Sequence, residues 1–227
     1  MNEARLLSIH VGLPRTLYSE EAIGPAGHEW VSGIIKERAS GPLWLGLTNL
    51  AGDGQGSPKT HGGPEKAACV YPEEHYSYWQ RELDLPSLAS GDFGENFTTA
   101  GQTEGQVCIG DVFRLGGAIV QLSQPRPPCW RLARRWRIKD LALRVESTGR
   151  TGWYLRVLEQ GYVEAGATIQ LLERPLPQWT VALVNDLEHG RRVDLDQTRA
   201  LASCPQLSDS WRVGFSKKAE KHADAIK

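Results

Sequence analysis

The chain has 227 residues, 40% of them hydrophobic and 23% charged, proportions that exclude disordered, collagenous and coiled-coil classes. Lys+Arg 26 nearly balance Asp+Glu 27, so whole-surface attraction for a nucleic acid is not expected and any basic function is local. The opening MNEARLLSIH carries charge without an apolar stretch and no run of 18 apolar residues occurs, so neither a leader nor a membrane span is expected, and the expected compartment is a reducing cytoplasm.

Gly 24 and Pro 13 favour short strands and turns over long helices. Residues 4–12 read as a strand, with Leu7, Ile9 and Val11 on one face and Leu6, Ser8 and His10 on the other. A second strand is expected from Glu29 to Lys36. Residues 46–64 hold eight glycines or prolines, and so long a loop inside a domain is usually functional. After Tyr71, PEEHYSYWQREL reads as a helix with Pro72 in its first turn. Short strands then recur around 107–115, 117–124, 152–160 and 167–173, which predicts a mainly β barrel rather than a parallel sheet.

The character changes after Arg174-Pro175. Residues 178–188, 194–203 and 207–220 each read as a short helix, with Asp194 and Ser208 as caps and Pro205 between the last two. Val181, Val184, Leu187, Leu195, Leu201, Trp211 and Phe215 supply apolar faces for a cluster too small to be stable alone. The expected division is a barrel over 1–175 and a three-helix extension over 176–227 that leans on it or on a partner.

The segment from Gln121 to Lys139 carries six cations and no acid. Cys129 follows Pro127-Pro128 and precedes a helical pattern, with Arg126 and Arg131 close by. A helix N-terminus and guanidinium groups both favour thiolate over thiol, and a thiolate ligates soft metals, carries a persulfide or attacks an electrophile. A buried, inert sulfur beside a solvated row of arginines fits the same residues. Cys69, Cys108 and Cys204 lack such surroundings and read as packing residues. No C-x-x-C pair points to zinc or to a disulfide framework.

Gly52-Asp-Gly-Gln-Gly-Ser-Pro-Lys-Thr-His-Gly-Gly63 fails the nucleotide P-loop pattern, because Pro58 precedes Lys59 and no helix can follow directly. His61 in such a loop fits either an anion site or a solvated surface. Gly94-Glu95-Asn96-Phe97 fits a turn or a partner for a heterocycle edge. No nicotinamide fingerprint occurs, and Trp30, Trp44, Trp79, Trp153 and Trp179 lie in apolar runs that suggest core packing rather than base stacking.

Seven short markers, in order, resemble the MOSC family, named for the C-terminal domain of molybdenum cofactor sulfurase, and within it the YiiM-type stand-alone bacterial members. They are Gly52-Asp-Gly-Gln55, His61-Gly-Gly63, Glu74-His-Tyr76, Gly94-Glu-Asn96, Ile109-Gly-Asp111, Gln124-Pro-Arg-Pro-Pro-Cys129 and Gly152-Trp-Tyr-Leu-Arg-Val157. One departure is Gly56-Ser57, where the family often has an acid. The resemblance implies a Greek-key MOSC β-barrel followed by three helices, and a molybdenum cofactor (molybdopterin) with Cys129 as metal ligand or persulfide carrier. It places Arg126, His61, Asp53, Glu95 and Asn96 around the cofactor, and Arg126 or Arg131 suits its phosphate. The implied activity is reduction of N-hydroxylated bases such as 6-N-hydroxylaminopurine, with electrons from an external flavoprotein or iron–sulfur reductase. The alternatives are sulfur transfer through a Cys129 persulfide and non-catalytic cofactor carriage. Pyridoxal phosphate is not expected, nor is a nucleic-acid or membrane partner.

Overall fold

The computed structural model describes residues 3–225, so the extreme ends of the expected 1–175 and 176–227 segments lie outside the described residues. An eight-stranded sheet runs in the order β12 (Ile169–Glu173), β8 (Val112–Leu115), β9 (Ala118–Pro125), β10 (Trp153–Glu159), β6 (Ala68–Pro72), β7 (Phe97–Ala100), β1 (Arg5–Val11), β4 (Glu37–Arg38). Every pairing is antiparallel except β6 with β7. The sheet curls until β1 meets the chain leading into β12: Leu6 N–H donates to Ala167 O at 2.9 Å and Ile169 N–H to Ala4 O at 2.8 Å. Such curling satisfies edge groups that would otherwise invite foreign strands. Two ribbons flank it, β2 (Arg15–Tyr18) with β3 (Glu29–Ser32), and β5 (Leu43–Leu45) with β11 (Gly161–Val163). The expected mainly β barrel is what the chain forms.

Details depart from the expectations for local reasons. In β1 the pairing shifts between Leu6 and Ser8, and this bulge inverts the alternation. Leu6 and Ile9 therefore both enter the core while Leu7 is exposed, contrary to the strict two-face pattern. A one-turn helix α1 (Pro58–His61) lies within the glycine-rich loop, and Pro72 ends β6 instead of opening a helix; a 3-10 turn over Glu73–His75 intervenes before α2 (Tyr76–Glu82). Trp44 lies exposed on β5 against Tyr162, with ring centroids 5.1 Å apart, while Trp30, Trp79, Trp153 and Trp179 are buried.

The helices α3 (Trp130–Trp136) and α4 (Leu141–Thr148) cover a second apolar cluster built on Trp79, Tyr71 and Phe93, the last two stacked at 4.5 Å. The tail forms α5 (Val181–Glu188), α6 (Leu195–Ala202) and α7 (Asp209–Ala225). Thr180 caps α5 by accepting from Leu183 N–H at 3.2 Å, and Asp194 caps α6 by accepting from Gln197 N–H at 2.9 Å. Val184, Leu201, Leu207 and Phe215 belong to the same apolar cluster as Leu122 and Trp153 of the sheet. The tail thus shares the core of the sheet. At its junction Ser208 N–H donates to Ser123 O at 2.9 Å, pinning the start of α7 to β9.

Candidate active site

Pro127 and Pro128 deliver the chain into Cys129 in an extended conformation, φ −129° and ψ 159°, and α3 starts at the next residue. The expected helix start is thus in place. Cys129 is half-buried and lines a narrow cleft of about 70 Å³. Arg126, Arg131, His61, Asp53 and Asn96 line the same cleft. These residues come from four separate stretches of sequence.

Glu95 does not line it. Gly94 and Asn96 face the cleft, and alternation along the chain entering β7 turns the residue between them inward. The Glu95 carboxylate is fully buried, and its Oε1 accepts from Tyr76 Oη at 2.5 Å, Gly91 N–H at 2.6 Å and Thr98 Oγ1 at 2.8 Å. It ties α2 and the loop before β7 together. A cofactor-contacting place for Glu95 is corrected on this geometry.

Asp53 and Asn96 reach the cleft with their polar atoms already engaged. Asp53 Oδ1 accepts from Gly12 N–H at 2.9 Å and from Lys36 Nζ, and Oδ2 accepts from Asn96 Nδ2 at 2.9 Å. Asn96 Oδ1 accepts from Cys69 N–H at 3.0 Å. Together they fix the glycine-rich loop to the sheet. The glycines let it lie against backbone: a Cβ on Gly33 would stand 2.2 Å from Gly54 O, and one on Gly56 2.5 Å from Val31 O. Gly56 therefore has no room for a side chain on this backbone.

The remaining charge is concentrated on one wall. Arg131 Nη1 donates to His61 Nε2 at 3.1 Å, which requires a neutral acceptor ring. Burial, reinforced by the Arg131, Arg126 and Lys66 cations, lowers the His61 pKa from 6.5 to about 4. Arg131 Nε is buried without a partner among the described residues, and the guanidinium stacks 4.6 Å from the Trp130 ring. Arg126 is buried, and its Nη2 donates to Phe93 O at 2.5 Å. Not every cation of the segment serves the cleft. Arg134 donates to Gly27 O at 2.8 Å and Ala26 O at 2.9 Å, and Arg135 to Ile34 O at 2.8 Å and Asp92 at 2.5 Å. Neither a solvated row nor a uniform anion site describes them; Arg134 staples α3 to the loop between β2 and β3, and Arg135 staples it to the chain after β3 and the loop before β7.

The sequence offers no signal for Lys36 and Lys66, Cys69 reads there as a packing residue, and Gln55 and Tyr154 lie in family markers without a role of their own; all five also line the cleft. Burial pushes the Cys69 thiol up to about 11, with Arg126 opposing, so Cys69 remains protonated beside Cys129's cleft. Burial lowers the Lys66 pKa, and its Nζ donates to Thr60 O at 2.7 Å. Among the described residues, no group of three or more His, Cys, Asp or Glu is placed to hold a metal ion, and no helix is long and apolar enough to cross a membrane.

The MOSC domain profile matches residues 57–170, and a YiiM-like, 3-alpha helix domain profile matches residues 179–222. Protein YiiM of Escherichia coli (strain K12) is 40% identical over 189 residues, covering 82% of this chain and 84% of that protein. A protein named Reductase from Gibberella moniliformis is 39% identical over 187 residues, 81% of this chain but 33% of the longer fungal protein. The crystal structure of YiiM from Geobacillus stearothermophilus superposes with a TM-score of 0.79 at 35% identity, covering 95% of this chain and 99% of that one. The chain belongs to the MOSC domain family, as a YiiM-type member that carries the three-helix domain.

Proposed function

We propose that the cleft binds the molybdenum cofactor, with Cys129 as the protein's ligand to the metal, and that the protein reduces N-hydroxylated bases. The carrying observation is the placing of a half-buried thiol at the start of α3, on a wall shared with Arg126 and Arg131. The residues fit such a group. The sulfur suits a soft metal, and the unpartnered Arg131 Nε is a donor suited to an anionic oxygen. Arg126 and Arg131 would hold the phosphate, with neutral His61 keeping Arg131 in place. Asp53, Asn96 and Lys36 act behind them by fixing the loop. When bound, the cofactor supplies two-electron oxygen-atom chemistry.

The overall change balances as RNHOH + 2 e⁻ + 2 H⁺ giving RNH₂ + H₂O. The two electrons come from a separate flavoprotein or iron–sulfur reductase. A relative that bears the name Reductase, and in which the matched region is 33% of the chain, supports a unit that works with other modules.

Metal and pterin analysis of wild type beside Cys129→Ser tests the proposal. Molybdenum and pterin in the wild type, with turnover lost in the folded variant, are the expected results. Cofactor-free wild type after expression in a cofactor-competent host and reconstitution would overturn it. A sulfur-sized adduct on the Cys129 peptide, without molybdenum, would instead favour sulfur transfer.

A further inference from the structure

A second cleft, of about 640 Å³, shares no lining residue with the first and lies where the barrel meets the tail, a setting that favours small-molecule sites. His75, Tyr78 and Arg81 stand three residues apart along α2 and the turn before it, so they share one face, and all three line this cleft. Arg150, just after α4, lays its guanidinium 4.0 Å from the Tyr78 ring centroid. Ala182 and Asp186 of α5 close the cleft from the tail side. His75 belongs to the marker Glu74-His-Tyr76, which the Cys129 cleft does not use.

The acids of this cleft are already engaged. Asp186 Oδ1 accepts from Arg191 Nε at 2.7 Å, and Glu74 Oε1 accepts from Gly101 N–H at 2.6 Å. Glu104 is buried, with Oε1 accepting from Gly152 N–H at 2.7 Å and Oε2 from His75 Nε2 at 2.7 Å. The cations are not engaged in the same way. Among the described residues neither Arg81 nor Arg150 has a carboxylate partner, which leaves two guanidinium groups with donors to spare. His75 is 7% exposed, and with the hydrogen of Nε2 given to Glu104, Nδ1 of the neutral ring is an acceptor. That atom makes no hydrogen bond among the described residues and is not sealed from solvent, so it is open to the cleft that His75 lines.

We infer that this cleft binds a phosphorylated polyol, its phosphate held by Arg81 and Arg150 and a hydroxyl donating to His75 Nδ1. Planar guanidinium groups match phosphate oxygens. The step from His75 to Arg81 spans about 9 Å along a helix, which leaves room for a short sugar chain between the two ends. The site stands apart from the proposed cofactor function, with which it shares no residue.

Ribose 5-phosphate, inorganic phosphate and ribose are the probes, each titrated into the isotope-labelled full chain and followed by NMR, with sodium chloride at matched ionic strength as control. Amide shifts at Gly105, Gly149 and Ala182 report this cleft and separate it from any phosphate held by Arg126 and Arg131. Ribose 5-phosphate is expected to move these amides, and to bind about tenfold more weakly to Arg81→Met or Arg150→Met. His75→Gln keeps a donor for Glu104, and is expected to weaken ribose 5-phosphate while leaving inorganic phosphate, the weaker ligand, unaffected. Arg81 is exposed, so its variant decides if the others do not fold. No shift of these amides by ribose 5-phosphate would overturn the site, as would equal shifts with chloride or wild-type affinity in the arginine variants. Inorganic phosphate binding as tightly as ribose 5-phosphate, or ribose alone binding equally well, would overturn the phosphorylated polyol as its ligand.

Discussion

Arg131 and His61 are 70 residues apart in sequence, yet the guanidinium donates to the imidazole Nε2 at 3.1 Å on the cleft wall. The bond works only if the ring is neutral, and burial with three neighbouring cations keeps it so, lowering its pKa to about 4. Replacing Arg131 by Met removes one of those cations but not the burial that is the largest cause. The His61 pKa is therefore expected to rise part of the way towards 6.5, read by NMR titration of its ring protons. A value that stays near 4 would show that Arg131 does not act on His61.

The same shift has a consequence for stability. Between about 4 and 6.5 the unfolded chain binds a proton at His61 that the folded chain does not. Stability from this residue is fully present above about 6.5 and is lost as pH falls towards about 4, by at most about 3 kcal/mol for the half-buried ring. His61→Asn is expected to flatten the acid side of the pH–stability curve measured by denaturant titration. An unchanged slope from pH 6.5 to 4 would contradict this.

Glu95 holds three donors inside the protein, so Glu95→Ala leaves Tyr76, Gly91 and Thr98 unpaired and is expected to cost about 3 kcal/mol or more. Glu95→Gln keeps an acceptor and is expected to cost less. Denaturant midpoints give the order, and molybdenum per folded molecule is expected to stay at the wild-type level in Glu95→Gln. Metal loss without loss of stability would return Glu95 to a direct role at the cofactor.

Gly152 has φ +70°, and a Cβ there would stand 2.2 Å from Val70 O. Glu104 accepts from its N–H at 2.7 Å while its carbonyl accepts from Arg126 N–H at 3.1 Å. Gly152→Ala is therefore expected to destabilise by at least about 2 kcal/mol, combining left-handed strain with a backbone clash. The measurement is the thermal midpoint, and a wild-type value would refute the close approach.

Removing residues 176–227 would expose Leu122, Trp153 and their neighbours, because the three tail helices share that cluster. We expect residues 1–175 alone to lack a cooperative melting transition. A cooperative transition would show that the barrel is an independent folding unit.

Cys129 is legible in the sequence because two prolines restrict the approach and a helical pattern follows. The tail helices are legible because Asp194 caps and the apolar spacing agree. Three features escape for physical reasons. The bulge in β1 resets which face is buried, and nothing in a run of Leu6, Leu7, Ser8 and Ile9 marks where the extra residue falls. Glu95 sits between two cleft residues, so its motif names the right place and the wrong direction. Lys36 meets Asp53 only through tertiary folding, as a buried pair with side-chain exposures of 6% and 1%.

X-ray absorption at the molybdenum edge examines the metal's neighbours directly, in reconstituted wild type and in Cys129→Ser. The expected result is one sulfur neighbour fewer in the variant, replaced by a lighter atom. An identical sulfur shell in both proteins would contradict ligation by Cys129.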